Sequence, residues 1–552
     1  MMFWNGRDEG SGSICQSFAA QFDSHSPHTA FLPGQPPATR HDGEGTVALR
    51  VMATTDLHGF LLGYDYTRNR PSPDTGLSRV ASLIARARAE APNCLLFDNG
   101  DFLQGSLLAD FWGQRRGIHC GETHPMIAAM NALGYDAGTP GNHEFNFGLD
   151  YLHRVLRDAQ FPFVCANALW EGAGHMLPPW IILEREVTDE AGLPQRLRIG
   201  VIGFLPPQTV NWDRVHLAGS VTTLGIVEAA RLEVPRLRAA GADVVIALAH
   251  TGLGDAGDDP EHVGRKLAAV EGIDALVCGH SHIAFPPPGD DPERGNINGK
   301  PVILPGRWGS HLGVMDLTLR RRDNGGWRVE GANSTLRPVA QRAGPGRFTC
   351  QTEEDPRIVA LGAEPHAEIM AELSRVLSRC ATPLQSFFSM VAPDAALHLI
   401  AEAKAAHVRR ALAGQPEADL PLLCAVTPMK CGARGGPDHF IDIPPGPLRV
   451  RHVLDLYAFP NTVTAVRLTG AQITEWLERA AAAFLQVAPG GTGQPLLNPA
   501  FPSYNFDIFH GLTYEIDPSQ PARYNAHGAS RRAAGTADPR SAPRGPGGPP
   551  RR

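Results

Sequence analysis

The sequence predicts an α/β protein built around a largely parallel sheet that helices cover on both faces. Apolar, β-branched runs alternate along the chain with stretches whose apolar residues recur at helical spacing. Short motifs rich in Asp, Asn and His directly follow five extended, strand-like runs. In open α/β sheets the functional site lies beyond the carboxyl ends of the strands, so the element order and the motifs indicate the same place.

The first half of the chain carries this alternation in order. The predicted strands are 46–53, 94–97, 161–165, 197–204, 244–248, 275–277, 302–304 and 312–319. The predicted helices are 77–91, 126–133, 149–159 and 226–240. Val80, Leu83, Ile84 and Ala87 form one apolar stripe on the first helix, and Gly134 ends the second.

The amino-acid composition changes at 341–357, where Gly, Pro and charged residues predict a linker. A helix is predicted at 358–378, and a second domain with an amphipathic helix at 470–484 follows from about residue 384. From residue 529 the composition is dominated by Ala, Gly, Pro and Arg, which cannot bury a core and predicts disorder.

Composition excludes several classes of protein. The 552 residues are too many for one ordinary core, so two or three domains are expected. With 43% apolar and 19% charged residues the chain is typical of globular proteins, and its net charge of −7 argues against binding a nucleic-acid polymer. No run approaches the roughly 18 apolar residues of a membrane span, so no membrane partner is expected.

Seven side chains in the five motifs are candidate metal ligands. They are Asp56, His58, Asp101, Asn142, His250, His280 and His282. Seven oxygen and imidazole donors are more than one ion needs, and they suit two divalent ions that share one carboxylate. We interpret Asp101 as the shared bridge.

The spacing of the motifs divides the remaining ligands between two ions. Asp56 and His58 are two positions apart and can face one ion, with His282 completing that set. The second ion would be held by Asn142, His250 and His280. Two ions about 3.5–4 Å apart would lower the pKa of a bound water and clamp the attacking and leaving oxygens, as phosphate-ester hydrolysis requires.

His143 and its neighbour Asn142 are the predicted catalytic residues. His143 directly follows a predicted ligand, so it could protonate the leaving oxygen or stabilise the transferring phosphoryl group. A single Asp-x-His or Gly-His-Ser-His is a weak signal that chance or a turn explains. All five motifs in this order, each after a strand, favour a metal site.

Longer stretches of the sequence resemble the 5′-nucleotidase family of the calcineurin-like metallophosphoesterases. The resemblance extends from about Val47 to Asn525 and is carried by TTDLHGFLLGYDY, DNGDFLQGS, GNHEFNFGLDYL, IGFLPPQTVNWD, GHSH, PGRWGSHLGVMDL, KCGARGGP, DLYAFPNT and YNFDI. Within this family the chain is most similar to the bifunctional 2′,3′-cyclic-nucleotide 2′-phosphodiesterase/3′-nucleotidases.

The resemblance implies a four-layer α/β/β/α metallophosphoesterase domain, a linker helix and a smaller α/β substrate-binding domain that can rotate over the site. We therefore divide the chain into a disordered segment 1–45, a dimetal domain 46–339, a linker with its helix 340–383, a C-terminal nucleotide-binding domain 384–528 and a disordered tail 529–552. Relatives continue with further strands beyond the position of Asn525. The C-terminal domain is accordingly expected to be truncated or frame-shifted at its end.

The activity that the resemblance implies is metal-dependent hydrolysis of nucleotides by a monomer. It opens the 2′ ester of 2′,3′-cyclic nucleotides and then removes the 3′-phosphate, with two ions drawn from Mn, Zn, Co or Mg. Relatives are periplasmic, but the sequence begins without a secretory signal, so a cytoplasmic location is expected.

One residue distinguishes the branches of the family. In 5′-nucleotidases the His of the GNHE motif pairs with an Asp three residues on, and here that position is Asn146. An amide can orient an imidazole but cannot stabilise imidazolium charge as a carboxylate does. His143 is therefore expected to act more as a hydrogen-bond donor to phosphate than as a full general acid.

Family members grip the nucleotide base between two aromatic rings of the second domain. By position Phe459 matches the first ring, with a core role as its alternative, and Tyr504 or Phe506 matches the second. Lys430 and Arg434 match the loop that contacts the nucleotide. Because stacking tolerates any base, broad base specificity is expected.

Three other functions remain alternatives. A 5′-nucleotidase or nucleotide-sugar hydrolase is disfavoured by Asn146. A catalytically silent nucleotide-binding protein is disfavoured by the complete set of ligands. A thiosulfohydrolase of the sulfur-oxidation type is disfavoured by the aromatic residues of the second domain.

Overall fold

Two mixed sheets form the frame of the N-terminal part of the protein. The computed structural model describes residues 29–30, 45–254, 259–289, 292–323, 325–344, 346–432, 439–457, 462–526 and 528–530. The chain divides into two compact units, Met1–Glu372 and Leu373–Arg552. No helix within these described stretches is long and apolar enough to cross a membrane.

The first sheet is parallel on one side of its central strand and antiparallel on the other. Among the described residues its spatial order is Trp327–Pro338, His311–Arg321, Thr46–Thr54, Cys94–Asp98 and Ala137–Gly138. Thr46–Thr54 pairs in parallel with Cys94–Asp98 and antiparallel with His311–Arg321. The strands predicted at 46–53, 94–97 and 312–319 are confirmed, with slightly different ends.

The second sheet also has a parallel centre. In the described part of the chain its order is Thr29–Ala30, Trp180–Thr188, Pro194–Phe204, Val244–Ala249, Ala275–Cys278, Lys300–Pro305 and Ala284–Phe285, with Asn296–Ile297 also paired to Lys300–Pro305. The four strands from Pro194 to Pro305 that were predicted are confirmed and run parallel to one another. Trp180–Thr188 pairs antiparallel at their edge.

Helices enclose the two sheets and complete four layers. In the described part of this unit the α-helices are Leu77–Glu90, Leu107–Phe111, Pro125–Leu133, Leu149–Arg157, Thr209–Trp212, Arg214–Leu217, Ile226–Ala239 and Gly264–Ala268. Val51 of the first sheet and Ile246 of the second are buried in one shared apolar cluster, which is the core between the sheets. Val245, on the opposite face of its strand, packs instead in the cluster that contains Val234 of a covering helix.

Two expectations from the residues alone are corrected. The single largely parallel sheet is in fact two mixed sheets, as the resemblance implied. Strands buried on both faces read as continuous apolar runs, so the sequence does not reveal which sheet each one joins. The strand predicted at 161–165 forms only a bridge between Gly138 and Phe163, because Pro162 has no N–H to extend the ladder.

The described part of the second unit is built from helices and short antiparallel strand pairs whose members are distant in sequence. Its described α-helices are Ala395–Ala411, Val450–Leu456 and Gly470–Ala480, and Pro356–Ser374 leads into it from the first unit. The paired strands are Val376–Cys380 with Gly446–Arg449, Leu384–Gln385 with Asp442–Ile443, and Cys424–Val426 with Ile508–His510. The helix predicted at 358–378 ends four residues early, where the chain enters the Val376–Cys380 strand.

Candidate metal centre and active site

The candidate ligands lie on loops that follow strands of both sheets. In the first sheet Thr46–Thr54 leads to Asp56 and His58, Cys94–Asp98 to Asp101, and Ala137–Gly138 to Asn142. In the second sheet Val244–Ala249 leads to His250, and Ala275–Cys278 to His280 and His282. The site therefore lies where the carboxyl ends of two sheets meet.

Six of the seven side chains converge in two groups of three. The groups are Asp56, His58 and His282, and Asp101, His250 and His280, with the ligand atoms of each within 4.8 Å of one another. His58 Nε2 and His282 Nε2 are 2.9 Å apart, so both rings point at the same place.

Asp101 belongs to the second group and also lies close to the first. Its Oδ2 is 2.8 Å from His250 Nε2 of one group, and its carboxylate also falls within 4.8 Å of ligand atoms of His58 and His143. Its Oδ1 accepts a hydrogen bond of 2.8 Å from the backbone N–H of His143, which fixes the carboxylate in place. This is the placement that a bridging ligand requires.

Backbone carbonyls set the tautomers of two of the imidazoles. His250 Nδ1 lies 2.6 Å from Asn99 O, and His58 Nδ1 lies 2.7 Å from Gln104 O. A carbonyl oxygen can only accept, so each Nδ1 carries the hydrogen and Nε2 is left to face the site. Such partners fix the orientation of metal-binding histidines.

The donor set fits divalent cations. Asn142 Oδ1 is buried without a hydrogen-bond partner, which is unusual for an interior amide unless it faces an ion or water. Burial opposes ionisation of Asp56 and Asp101, but nearby histidines, His250 first, hold the pKa of both carboxyls below their usual range. Burial likewise opposes charging of His250, but Asp101 and Asp56 raise its pKa to about 10. The buried carboxylates thus demand positive charge, which divalent ions would supply.

Most of the ligands have an unusual backbone conformation. Five have positive φ, namely Asp56 (51°), His58 (48°), Asp101 (58°), His280 (66°) and His282 (59°). Left-handed backbone at non-glycine residues costs about 1–3 kcal/mol and persists only where the surroundings hold it. Cross-loop hydrogen bonds do so here, since Asp56 N–H donates to Gly100 O (2.9 Å) and His58 N–H donates to Asp101 O (2.7 Å).

Two motif glycines allow the loops to approach the ligands closely. A Cβ on Gly141 would lie 2.2 Å from Asp101 Oδ1 and 2.8 Å from His250 Cε1. A Cβ on Gly279 would lie 2.8 Å from Asp56 Oδ2. All three distances are too short for real contacts, so any side chain at these positions would displace a candidate ligand.

Glu144, the last residue of the GNHE motif, has a role that the sequence analysis missed. Its carboxylate is fully buried and accepts backbone hydrogen bonds from Asp101 (2.7 Å), Phe102 (2.7 Å), Leu103 (3.1 Å) and Gly141 (2.6 Å). Glu144 therefore ties the Asp101 loop to the Asn142 loop. Its place in the motif beside two predicted site residues was the available signal.

Glu261 and Trp212 support His280 and were also missed. His280 Nε2 lies 2.8 Å from Glu261 Oε1, and the Trp212 ring stacks on the imidazole at 5.7 Å between centroids. Trp212 belongs to the IGFLPPQTVNWD stretch, which was a signal without an assigned role, whereas nothing in the local sequence of Glu261 indicated its contact.

The predicted catalytic residue His143 is linked to Asn146, as the sequence suggested, and through it to Asp213, which the sequence analysis did not select. His143 Nδ1 lies 2.6 Å from Asn146 Oδ1. The Asn146 amide nitrogen donates to both carboxylate oxygens of Asp213, at 2.9 and 3.1 Å. Asp213 ends the IGFLPPQTVNWD stretch, which was a signal without an assigned role.

Most of the chain is similar in sequence to known proteins. Residues 49–284 match the calcineurin-like phosphoesterase domain family, and residues 397–532 match the 5′-nucleotidase C-terminal domain family. The 2′,3′-cyclic-nucleotide 2′-phosphodiesterase/3′-nucleotidase of Salmonella typhimurium is 40% identical over 496 residues, which cover 87% of this chain and 75% of that protein. This chain belongs to the 5′-nucleotidase family of calcineurin-like phosphoesterases.

Two further comparisons extend the similarity, one in sequence and one in fold. The trifunctional nucleotide phosphoesterase protein YfkN of Bacillus subtilis is 38% identical over 90% of this chain, which spans only 34% of that longer protein. The crystal structure of a 5′-nucleotidase precursor from Thermus thermophilus is similar in fold, with a TM-score of 0.54 at 23% identity over 88% of this chain and 84% of that one. The four-layer domain and the C-terminal domain are thus confirmed as the fold of the family.

In this member of the 5′-nucleotidase family, the structure describes only part of the predicted nucleotide-binding site. Phe459 and Arg434 lie outside the described residues. Tyr504 is 58% exposed, whereas Phe506 is buried and packs with Ala480 and Ala483, so Tyr504 is the ring available to a ligand. Lys430 makes an ion pair with Asp455, which a nucleotide phosphate would have to displace or share.

Proposed function

We propose that this chain hydrolyses 2′,3′-cyclic nucleotides to 3′-nucleotides, and 3′-nucleotides to nucleoside and phosphate, with two divalent metal ions. The observation that carries the chemistry is the position of the buried Asp101 carboxylate between two groups of imidazole and carboxylate donors. The substrate class rests on the 40% identity to the Salmonella enzyme of that name.

The structure supports a specific distribution of ligands. Asp56, His58 and His282 would hold one ion, and Asn142, His250 and His280 the other, with Asp101 shared. Two divalent ions there would neutralise phosphoryl charge and lower the pKa of the attacking water. Mn, Zn, Co and Mg all accept oxygen or imidazole donors, so the identity of the ions is a matter for measurement.

His143 would act on the phosphoryl group. Its Nδ1 is engaged by Asn146, so Nε2 is the nitrogen that faces the phosphoryl group. When the ring is protonated, Nε2 can donate a hydrogen bond to a phosphate oxygen or a proton to the leaving oxygen. Asn142 would serve as ligand beside it. In the second unit we assign base stacking to Phe459 and Tyr504, and phosphate or sugar contacts to Lys430 and Arg434.

Phosphate release and metal analysis on the same preparation test this function. The protein, stripped by chelation and reloaded with Mn, Zn, Co or Mg in turn, should turn over 2′,3′-cyclic AMP and 3′-AMP well and 5′-AMP poorly. Asp101→Asn prepared in parallel excludes a contaminating phosphatase, and Asp150→Asn, on an exposed helix position, is the matched control.

The outcomes separate the alternatives. A preference for 5′-AMP would make the chain a 5′-nucleotidase. Binding of nucleotide without turnover by any loaded form would make it a silent nucleotide-binding protein. A metal content near one ion per chain at full activity would remove the bridging role of Asp101.

A further inference from the structure

The contacts around His143 extend beyond Asn146 to a carboxylate that no sequence motif marked. Asn146 lies between an imidazole and the Asp213 carboxylate, bonded to both. His143 and Asn146 lie on one turn, whereas Asp213 is 67 positions from Asn146 on another. Such a linear arrangement fixes which end of the amide faces which neighbour.

We propose that Asp213 is a positioning residue for the reaction, acting through Asn146 to set the hydrogen on His143 Nδ1. An ionised carboxylate can only accept hydrogen bonds, so the amide must turn its NH₂ group to Asp213. Its carbonyl oxygen then faces His143 Nδ1, which must donate. Nε2 is thereby kept as the nitrogen that meets the substrate, an argument that rests on the proposed role of His143.

Asp213 matters because an amide is nearly the same shape in both orientations. Without a carboxylate at this position, Asn146 could rotate by half a turn and offer its NH₂ group to His143 Nδ1. Nδ1 would then accept, and the neutral ring would carry its hydrogen on Nε2. Such a ring could not take up the second proton that it must give from Nε2, because Nδ1–H would then face the amide NH₂ group. The carboxylate removes this alternative.

The Asp213 side chain is held rigidly enough for this task. The residue is 8% exposed and joins the helix Thr209–Trp212 to the helix Arg214–Leu217. Its backbone N–H donates to Thr209 O at 2.9 Å, and its carbonyl accepts from Leu217 N–H at 3.0 Å. The neighbouring Trp212 stacks on His280, so this one turn contacts both Asn146 and a candidate ligand.

A double-mutant cycle tests the proposal because the geometry predicts that two harmful substitutions compensate each other. Asp213→Asn frees the amide to rotate, and Asn146→Asp brings two carboxylates into contact. Each should lower kcat by about 10–100-fold, the usual cost of losing an orienting partner, with KM and metal content little changed. In the double variant the carboxylate at position 146 accepts from His143 Nδ1, and the amide at position 213 donates to that carboxylate. Activity should therefore return to within a few-fold of the parent.

A second readout does not depend on turnover. Protein labelled with ¹⁵N-histidine, with the His143 signals assigned by their loss in His143→Gln, should show the Nδ1–H tautomer in the parent and in the double variant. Asp213→Asn should show a mixture. Asp189→Asn is the matched control, because Asp189 likewise accepts from a side-chain amide, that of Gln195 at 2.8 Å, on a loop away from the site.

The results have definite consequences. Losses that multiply in the double variant, or an unchanged tautomer in Asp213→Asn, would show that Asp213 only supports the fold and would overturn the proposal. A parent enzyme inactive on cyclic nucleotides would refute the proposed function, while the tautomer comparison would still decide the role of Asp213.

Discussion

At the scale of single residues, the centre combines backbone strain with buried charge. Asp101 has positive φ, is buried, and contacts His250 while its Oδ1 receives the His143 N–H. Each of these features is costly in a protein interior. Together they are understandable if the side chain is held in one place to join two cations.

Asp101→Asn should lower activity by more than about 100-fold, because losing an outer-shell partner alone costs about 10–100-fold and this residue is a proposed ligand of both ions. Metal analysis should show fewer than two bound ions, while circular dichroism should be unchanged. Full metal content with near-normal turnover would contradict the bridging assignment.

Glu144→Gln should destabilise the first unit by about 1–3 kcal/mol, the cost of leaving a buried polar group unsatisfied. The new NH₂ group would face backbone N–H groups that now donate to the carboxylate. Denaturant unfolding measures the loss, with the exposed Glu186→Gln as control. Equal stability of the two variants would show that the hydrogen bonds to the Glu144 carboxylate do not stabilise the fold.

Tyr504→Ala should weaken nucleotide binding by about 1–3 kcal/mol, the usual worth of stacking one base. Hydrolysis of bis(p-nitrophenyl) phosphate, which has no base, should be less affected. Calorimetric titration of a nucleotide and the two turnover assays check this. Phe506→Ala is the contrasting variant, because its buried ring should affect stability first. Equal losses on both substrates would indicate that Tyr504 holds the fold.

At the scale of elements, the parallel strands bring their carboxyl ends together, and the loops that follow them position the candidate ligands. The loops are packed so tightly that a Cβ on Gly141 or Gly279 would overlap a carboxylate of a neighbouring loop. The glycines of these motifs therefore reflect contacts made in the folded protein rather than turns alone.

Gly141→Ala should displace Asp101 and weaken metal binding, because its Cβ would overlap the Asp101 carboxylate at 2.2 Å. Metal titration against a chelating dye measures the change in affinity. Gly174→Ala is the matched control, since its Cβ would meet no atom within 4 Å. Unchanged affinity in Gly141→Ala would mean that the two loops can separate without cost.

The sequence predicted the features that depend on neighbouring residues and missed the contacts between residues far apart in the chain. The candidate ligands follow strand ends and carry their own chemistry, so their positions were readable from strand patterns and motif composition. Glu144, Glu261 and Asp213 act on loops remote in sequence, and their contacts appear only in the folded chain. The strands Trp180–Thr188 and Trp327–Pro338, on the antiparallel sides of the two sheets, were missed because polar residues interrupt their apolar pattern.

At the scale of the whole molecule, the two units differ in how much core they bury. Two extensive apolar clusters underlie the first unit, one between its sheets and one beneath its helices. The described part of the second unit has smaller clusters, of which the largest is centred on Ile441 and Ile443. The proposed metal ligands all belong to the first unit.

Chelation should therefore lower the melting temperature of the first unit and leave that of the second unchanged. Bound metal stabilises by about 2.7 kcal/mol when its free concentration is about 100 times the dissociation constant. Differential scanning calorimetry, with limited proteolysis to assign the transitions, checks this, and chelation of Asp101→Asn should have little effect. Two transitions that shift together would show that the units unfold as one.

The position of the metal centre across two sheets has a consequence for the order of folding. Asp56 and Asp101 come from the first sheet and His250 and His280 from the second, and the first sheet takes strands from both ends of the unit. The ions can find their full set of ligands only after the two sheets have docked through their shared core. Metal uptake during refolding should thus be a late event whose rate reports on sheet docking, and added metal should slow unfolding far more than it accelerates folding.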